Sequence, residues 1–185
     1  MSAYIGDVVK NGLVLYLDAA NSKSIVSGSN TWFDLSGNNN SASLVGAPSY
    51  STDNKGTLTF SRTSVQYGET QTISSISNWT AECWVKFTTV PGANLTVSAL
   101  ITNVFNGSNL NFSLTTHVEG TANKGIYAAF FNGAWRAAGP HAPSAGIWYH
   151  YCGTYDGATI KLYVDGNLFP PLHILALPLL GEQYE

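Results

Sequence analysis

Charge is scarce in this chain of 185 residues. Asp, Glu, Lys and Arg together supply 10% of it, and the eight Lys and Arg form no basic run. With a net charge of −3, the chain lacks the cationic footprint that phosphate backbones demand, so no nucleic-acid partner is expected. No apolar run reaches transmembrane length, so no membrane insertion is expected. Residues 1–10 lack the basic and apolar regions of a secretory leader, which argues against Sec export. Cysteine is nearly absent: Cys83 and Cys152 each lie inside a strand-like run. One bridge between them and two free thiols packed as small apolar residues both stand open. No window carries a 3.6-residue apolar period over three turns, which excludes a helical bundle.

Short alternating runs between polar turns are abundant. Gly, Ser, Thr and Asn dominate, and the length suits one domain, or one with a small appendage. Leu13-Val14-Leu15-Tyr16-Leu17 reads as a first strand, and residues 43–47 as a short one. In Thr57-Leu58-Thr59-Phe60 the alternation points Leu58 and Phe60 inward. Residues 80–87 form the clearest strand, with Ala81, Cys83, Val85 and Phe87 on one face and Thr80, Glu82, Trp84 and Lys86 on the other. Residues 94–104, 110–116 and 125–131 read as further strands. Asn132-Gly133, Asp156-Gly157 and Asp165-Gly166 are hairpin signals, because the turn needs positive φ and Gly supplies it cheaply. Many strands, frequent turns and no helix predict an all-β, two-sheet sandwich.

Three segments carry a resemblance. Residues 12–20, with the loop Trp32-Phe33-Asp34-Leu35-Ser36-Gly37-Asn38, form the first. Trp79-Thr80-Ala81-Glu82-Cys83-Trp84-Val85-Lys86-Phe87 is the second, and the double hairpin over residues 148–166 is the third. Together they resemble the laminin-G-like jelly rolls of the concanavalin A-like lectin/glucanase superfamily. The resemblance implies an antiparallel jelly-roll sandwich over residues 1–169 that lacks the family's last strands. It does not specify a ligand. Domains of this type occur in secreted adhesins, carbohydrate-binding modules and bacteriophage virion proteins.

Residues 170–185 break the pattern, turning abruptly from Ser/Thr/Asn/Gly to Leu and Pro. Pro170, Pro171 and Pro178 oppose a central strand, since each removes a ladder donor. Codons permissive for residues 170–184, read one base earlier, can spell a Ser/Thr-rich return strand followed by Gly-Gly-Ala-Ile-Arg. A frame-shifted end and a genuine divergent tail therefore both stand open. A genuine tail would place Leu172, Ile174, Leu175, Leu177 and Leu179 at an assembly surface, covering an edge left by the missing strands.

Chemistry-bearing residues are sparse. The superfamily's glucanases use closely spaced carboxylates on one strand face. Here Glu69, Glu82, Glu119, Glu182 and Glu185 have no acid two or four residues away in a convincing strand. The histidines, His117, His141, His150 and His173, are far apart in sequence, and no enzyme is expected. Asp18, Asp34 and Asn38 are the candidate calcium ligands, with hydrogen bonding to their own turn backbone as the plainer role. For sugar binding the candidates are Trp135, Tyr127 and Arg136, with Trp135 foremost because it follows a hairpin turn. Trp84 is a further sugar-binding candidate, but packing is the plainer role for it and for Trp148, and His150 reads as a packed, hydrogen-bonded histidine. The function expected is a non-enzymatic bacteriophage virion component, structural or adhesive, partnered by other virion proteins and copies of itself, with cell-surface glycans as a further target. The alternative is a carbohydrate-binding lectin module with or without calcium.

Overall fold

The computed structural model describes residues 8–61, 63–71, 73, 77–90, 99–105, 109–116 and 125–170. The leucine-rich tail carrying Leu172, Ile174, Leu175, Leu177 and Leu179 lies outside the described residues. Among the described residues every strand pairing is antiparallel, and the one helical element is a short 3-10 turn at Asp53–Lys55. The chain divides into two compact units, Met1–Gln71 and Thr72–Glu185.

The first unit is built from five short strands: β1 (Thr31–Trp32), β2 (Ala42–Val45), β3 (Ser49–Ser51), β4 (Thr57–Thr59) and β5 (Tyr67–Glu69). They form a three-stranded sheet in the order β1-β2-β5 and the hairpin β3-β4. The expected first strand at residues 13–17 is not one. Side chains of the Asp34–Asn40 loop, rather than a neighbouring strand, bind its backbone. Tyr16 N–H donates to Asp34 Oδ1 at 2.9 Å, Asn38 Nδ2 to the Leu13 carbonyl at 2.7 Å and Asn40 Nδ2 to the Val14 carbonyl at 2.9 Å. Side-chain amides and carboxylates can replace ladder partners in this way, so the segment is extended without joining a sheet. Phe60 is also not inward-facing: β4 ends at Thr59, and the ring is 40% exposed.

The second unit is the sandwich. β6 (Trp79–Lys86) belongs to one sheet; the chain then crosses to a four-strand meander of β7 (Ala99–Phe105), β8 (Asn109–Thr115), β9 (Ile126–Phe131) and β10 (Trp135–His141). It returns to the first sheet as β11 (Trp148–Tyr155), β12 (Ile160–Val164) and β13 (Asn167–Leu168). The sheet orders are β10-β9-β8-β7 and β13-β12-β11-β6. A single apolar core joins them: Trp79, Ala81, Tyr151 and Leu162 from one sheet meet Phe112, Leu114, Ile126, Ala128, Phe130 and Ala138 from the other. The period-2 pattern of residues 80–87 produces this directly, since Ala81, Cys83, Val85 and Phe87 all pack toward the core.

The three hairpin signals are turns. Asp165 and Gly166 both have positive φ, 51° and 78°, and Val164 pairs with Asn167, which is a two-residue primed turn. Asp156-Gly157 lies in a four-residue loop between Tyr155 and Ile160, where the Asp156 carboxylate accepts from the Ala158 and Thr159 amides. After Gly166 a return strand does begin, as the two residues of β13.

Candidate functional site

The alternation that buries one side of β6 turns Glu82, Trp84 and Lys86 outward. On β11, where Tyr149, Tyr151, Gly153 and Tyr155 face the core, Trp148, His150, Cys152 and Thr154 face out. The register sets Trp148 opposite Lys86, His150 opposite Trp84 and Cys152 opposite Glu82. β12 adds Tyr163 opposite Cys152. The outer face of this sheet is therefore a mosaic of aromatic and ionisable groups.

Trp84 is its centre. The indole is 67% exposed, although the sequence pattern suggested a packing role for it. The His150 ring packs against it, with centroids 5.1 Å apart and planes tilted by 40°. His150 Nε2 in turn lies 3.5 Å from Glu82 Oε2. The His150 main chain is fixed from the other side: its N–H donates to Asp165 Oδ1 at 2.8 Å, and its carbonyl accepts from Asp165 N–H at 2.9 Å. Lys86 lies over the Trp148 ring with Nζ 5.5 Å from the centroid, a cation–π contact that orients both side chains.

Cys83 and Cys152 occupy opposite faces of the same sheet, Cys83 with the core residues and Cys152 with Glu82 and Tyr163. Their Cβ atoms point apart, so no bridge joins them and both are free thiols. Burial, reinforced by the neighbouring Glu82 carboxylate, pushes Cys83 up to about 12 and Cys152 up to about 11.

The sugar-binding trio expected from sequence does not converge. Tyr127 is 1% exposed and packs with Ala129 against Trp135 and Ala137, so its ring offers no stacking face. Trp135 is half-buried, and its ring meets Phe131 edge-on at 5.4 Å. Arg136 is exposed but, as the next residue on β10, projects to the opposite face from Trp135.

The calcium candidates Asp18, Asp34 and Asn38 lie in the first unit, engaged in hydrogen bonds. Asp34 accepts from the Tyr16, Ser36 and Asn40 amides and from the Ser36 hydroxyl. Burial alone would raise its carboxyl, but these four donors outweigh that and hold it below the ordinary carboxylate value. Asp18 accepts from the Ala20 amide and the Tyr16 hydroxyl, while Asn38 Nδ2 donates to the Leu13 and Val14 carbonyls. Among the described residues no three His, Cys, Asp or Glu side chains gather at one point. The first unit does contain an open cleft of ≈ 230 Å³ lined by Ser27, Ser29, Asn30, Leu44 and Tyr50 among others, with no charged group in its wall.

A deeper polar pair lies inside the sandwich. His141 Nδ1 and the Tyr151 hydroxyl are 2.7 Å apart, and the imidazole packs edge-on against Tyr149 and Phe169. Burial holds His141 below its ordinary value, against the opposing pull of Asp165. The same burial, with Tyr149 next in effect, raises Tyr151.

A family model described as the concanavalin A-like lectin/glucanases superfamily, of laminin-G type, matches residues 60–171. That span is more than half of the chain and contains β6 to β13, so the whole outer face around Trp84 lies within it. The opening segment at residues 12–38, which contributed to the resemblance seen in the sequence, lies outside the match. No curated protein and no solved structure matches the chain. The chain belongs to the concanavalin A-like lectin/glucanase superfamily.

Proposed function

We propose that this member of the concanavalin A-like lectin/glucanase superfamily is a non-catalytic carbohydrate-binding module, and that its glycan lies across the outer face of β6 and β11. The observation that carries the reading is the 67% exposed Trp84 in the middle of a regular strand, surrounded by Glu82, Lys86 and His150. The exposed indole has a π-face to offer to the C–H side of a pyranose. Glu82 supplies acceptors for sugar hydroxyls, and Lys86 and His150 supply donors. An open sheet face suits a stretch of polysaccharide rather than a terminal sugar. Nothing in the arrangement calls for calcium.

The absence of catalysis is part of the reading. Glycoside hydrolysis needs two carboxyl groups separated by about 5–9.5 Å across one bond. Directly across the sheet from Glu82 are Cys152 and then Tyr163, neither of them an acid, and the Asp165 carboxylate beside His150 is taken up by the His150 amide. The expected biological setting is a bacteriophage virion, where the module serves adhesion beside other virion proteins. Mass spectrometry of purified particles tests that setting: peptides of this chain at structural copy number support it, and their absence removes it. A glycan array probed with and without chelator tests the binding itself. Binding that survives chelation is expected; no binding in either condition would refute the proposal.

A further inference from the structure

The sandwich has four sheet edges among the described residues: β10 and β7 on one sheet, β13 and β6 on the other. Three are poor templates for another strand. β10 shifts register between Ala138 and His141 and contains Pro140, β7 shifts register twice against β8, and β13 is two residues long. β6 differs from all of them. It is eight residues long, has no proline, and pairs with β11 without interruption from Trp79 to Lys86. Its other side has no strand partner among the described residues.

We infer that β6 is the interface of a homodimer, in which the β6 strands of two copies pair antiparallel about a twofold axis through Trp84. The side chains of β6 are self-complementary in one register. With the axis at Trp84, Glu82 of each copy falls opposite Lys86 of the other, which gives two cross-strand ion pairs on the outer face. Trp84 meets Trp84, and the stretch in which strand pairs with strand is residues 82–86 of each copy. On the core side the same register sets Cys83 against Val85, an apolar pair. Moving the axis by one residue in either direction, to the next registers that keep both faces aligned, takes Glu82 away from Lys86. The product is a continuous eight-stranded sheet of order β13-β12-β11-β6-β6-β11-β12-β13, with the two Trp84 faces side by side. The inference does not depend on what the outer face binds.

Sedimentation equilibrium of the intact chain tests it. The wild type is expected to be a concentration-dependent dimer that weakens with added salt, because the two ion pairs are solvent-exposed. Glu82→Lys places lysine opposite Lys86 at both pairs, and Lys86→Glu places glutamate opposite Glu82 at both. Each single reversal is expected to weaken the dimer by about tenfold or more. The double reversal E82K/K86E restores opposite charges and should return the dissociation constant to within about threefold of wild type. Circular dichroism confirms that each variant is folded, and the rescue itself separates a lost interface from a lost fold. A wild type that stays monomeric up to millimolar concentration overturns the inference. So does a dimer that ignores the single reversals, or a double reversal no better than either single one.

Discussion

Gly153 faces the sandwich core from β11, and the approach of the two sheets depends on its lacking a side chain. A Cβ at this position would lie 2.8 Å from the Ala128 Cβ and 3.1 Å from both Leu114 Cδ2 and Trp79 Cζ3. Carbon atoms in contact rest about 3.5–4.0 Å apart. The methyl of Gly153→Ala therefore needs roughly 1 Å from Ala128, which has no rotamer to change. Leu114 and Trp79 are themselves buried and hemmed in. Overpacking of this kind costs about 1–3 kcal/mol, and rigid neighbours on three sides place this case near 2 kcal/mol. For a unit of this size that lowers the melting temperature by about 10 °C. The assay is thermal and urea unfolding followed by circular dichroism. Ala128→Gly removes the first atom met. Alone it is destabilising, but combined with Gly153→Ala it should recover about 1 kcal/mol relative to the sum of the two. A Gly153→Ala variant within about 0.5 kcal/mol of wild type, or strict additivity in the double variant, would refute the face-to-face packing of β11 on β9.

Three further outcomes are expected. The depressed Asp34 carboxyl contributes stability that is present above the unfolded value near about 3.9 and lost as pH falls through the lower folded value; Asp34→Asn should abolish that acid dependence and speed hydrogen exchange of the Tyr16 and Asn40 amides. His141 is held below its ordinary value, so the second unit should lose stability as pH falls below about 6.5, and a stability slope between pH 7 and 5 that survives His141→Gln would contradict this. Both thiols are raised and unbridged, so the folded protein should react slowly with a thiol reagent near neutral pH, give two equivalents on unfolding, and show no mass change on reduction.

The sandwich was legible where local pattern and tertiary role coincide. The alternation of residues 80–87 carried both the strand and its buried face, and the Gly-containing turns at 132–133, 156–157 and 165–166 marked their hairpins because positive φ is a local demand. The turn at 132–133 announced the start of β10 but not its extent, since Gly139-Pro140 breaks the usual strand signal; an edge strand tolerates it because its outer donors are not needed. The segment at residues 13–17 looked like a strand because apolar alternation reports exposure, not the identity of the hydrogen-bond partner. The exposed face proposed as the site was less legible for a related reason. A tryptophan in a strand reads as core, and Trp135 was preferred for its neighbouring turn, whereas burial depends on which face the opposite sheet covers. One signal was available: Trp84 alternates with Glu82 and Lys86, the charged side of its strand.

The proposed sugar site is tested most directly by the affinity of the wild type, Trp84→Ala and Trp135→Ala for the best glycan found on the array, measured by titration calorimetry. Trp84 is exposed, so its removal should leave the fold and melting temperature nearly unchanged while weakening binding by about tenfold or more. Trp135→Ala should destabilise the packing with Tyr127 yet leave the affinity of the folded protein intact. Undiminished binding by Trp84→Ala, or loss of binding confined to folded Trp135→Ala, would contradict the assignment of the outer face of β6 and β11 as the sugar site.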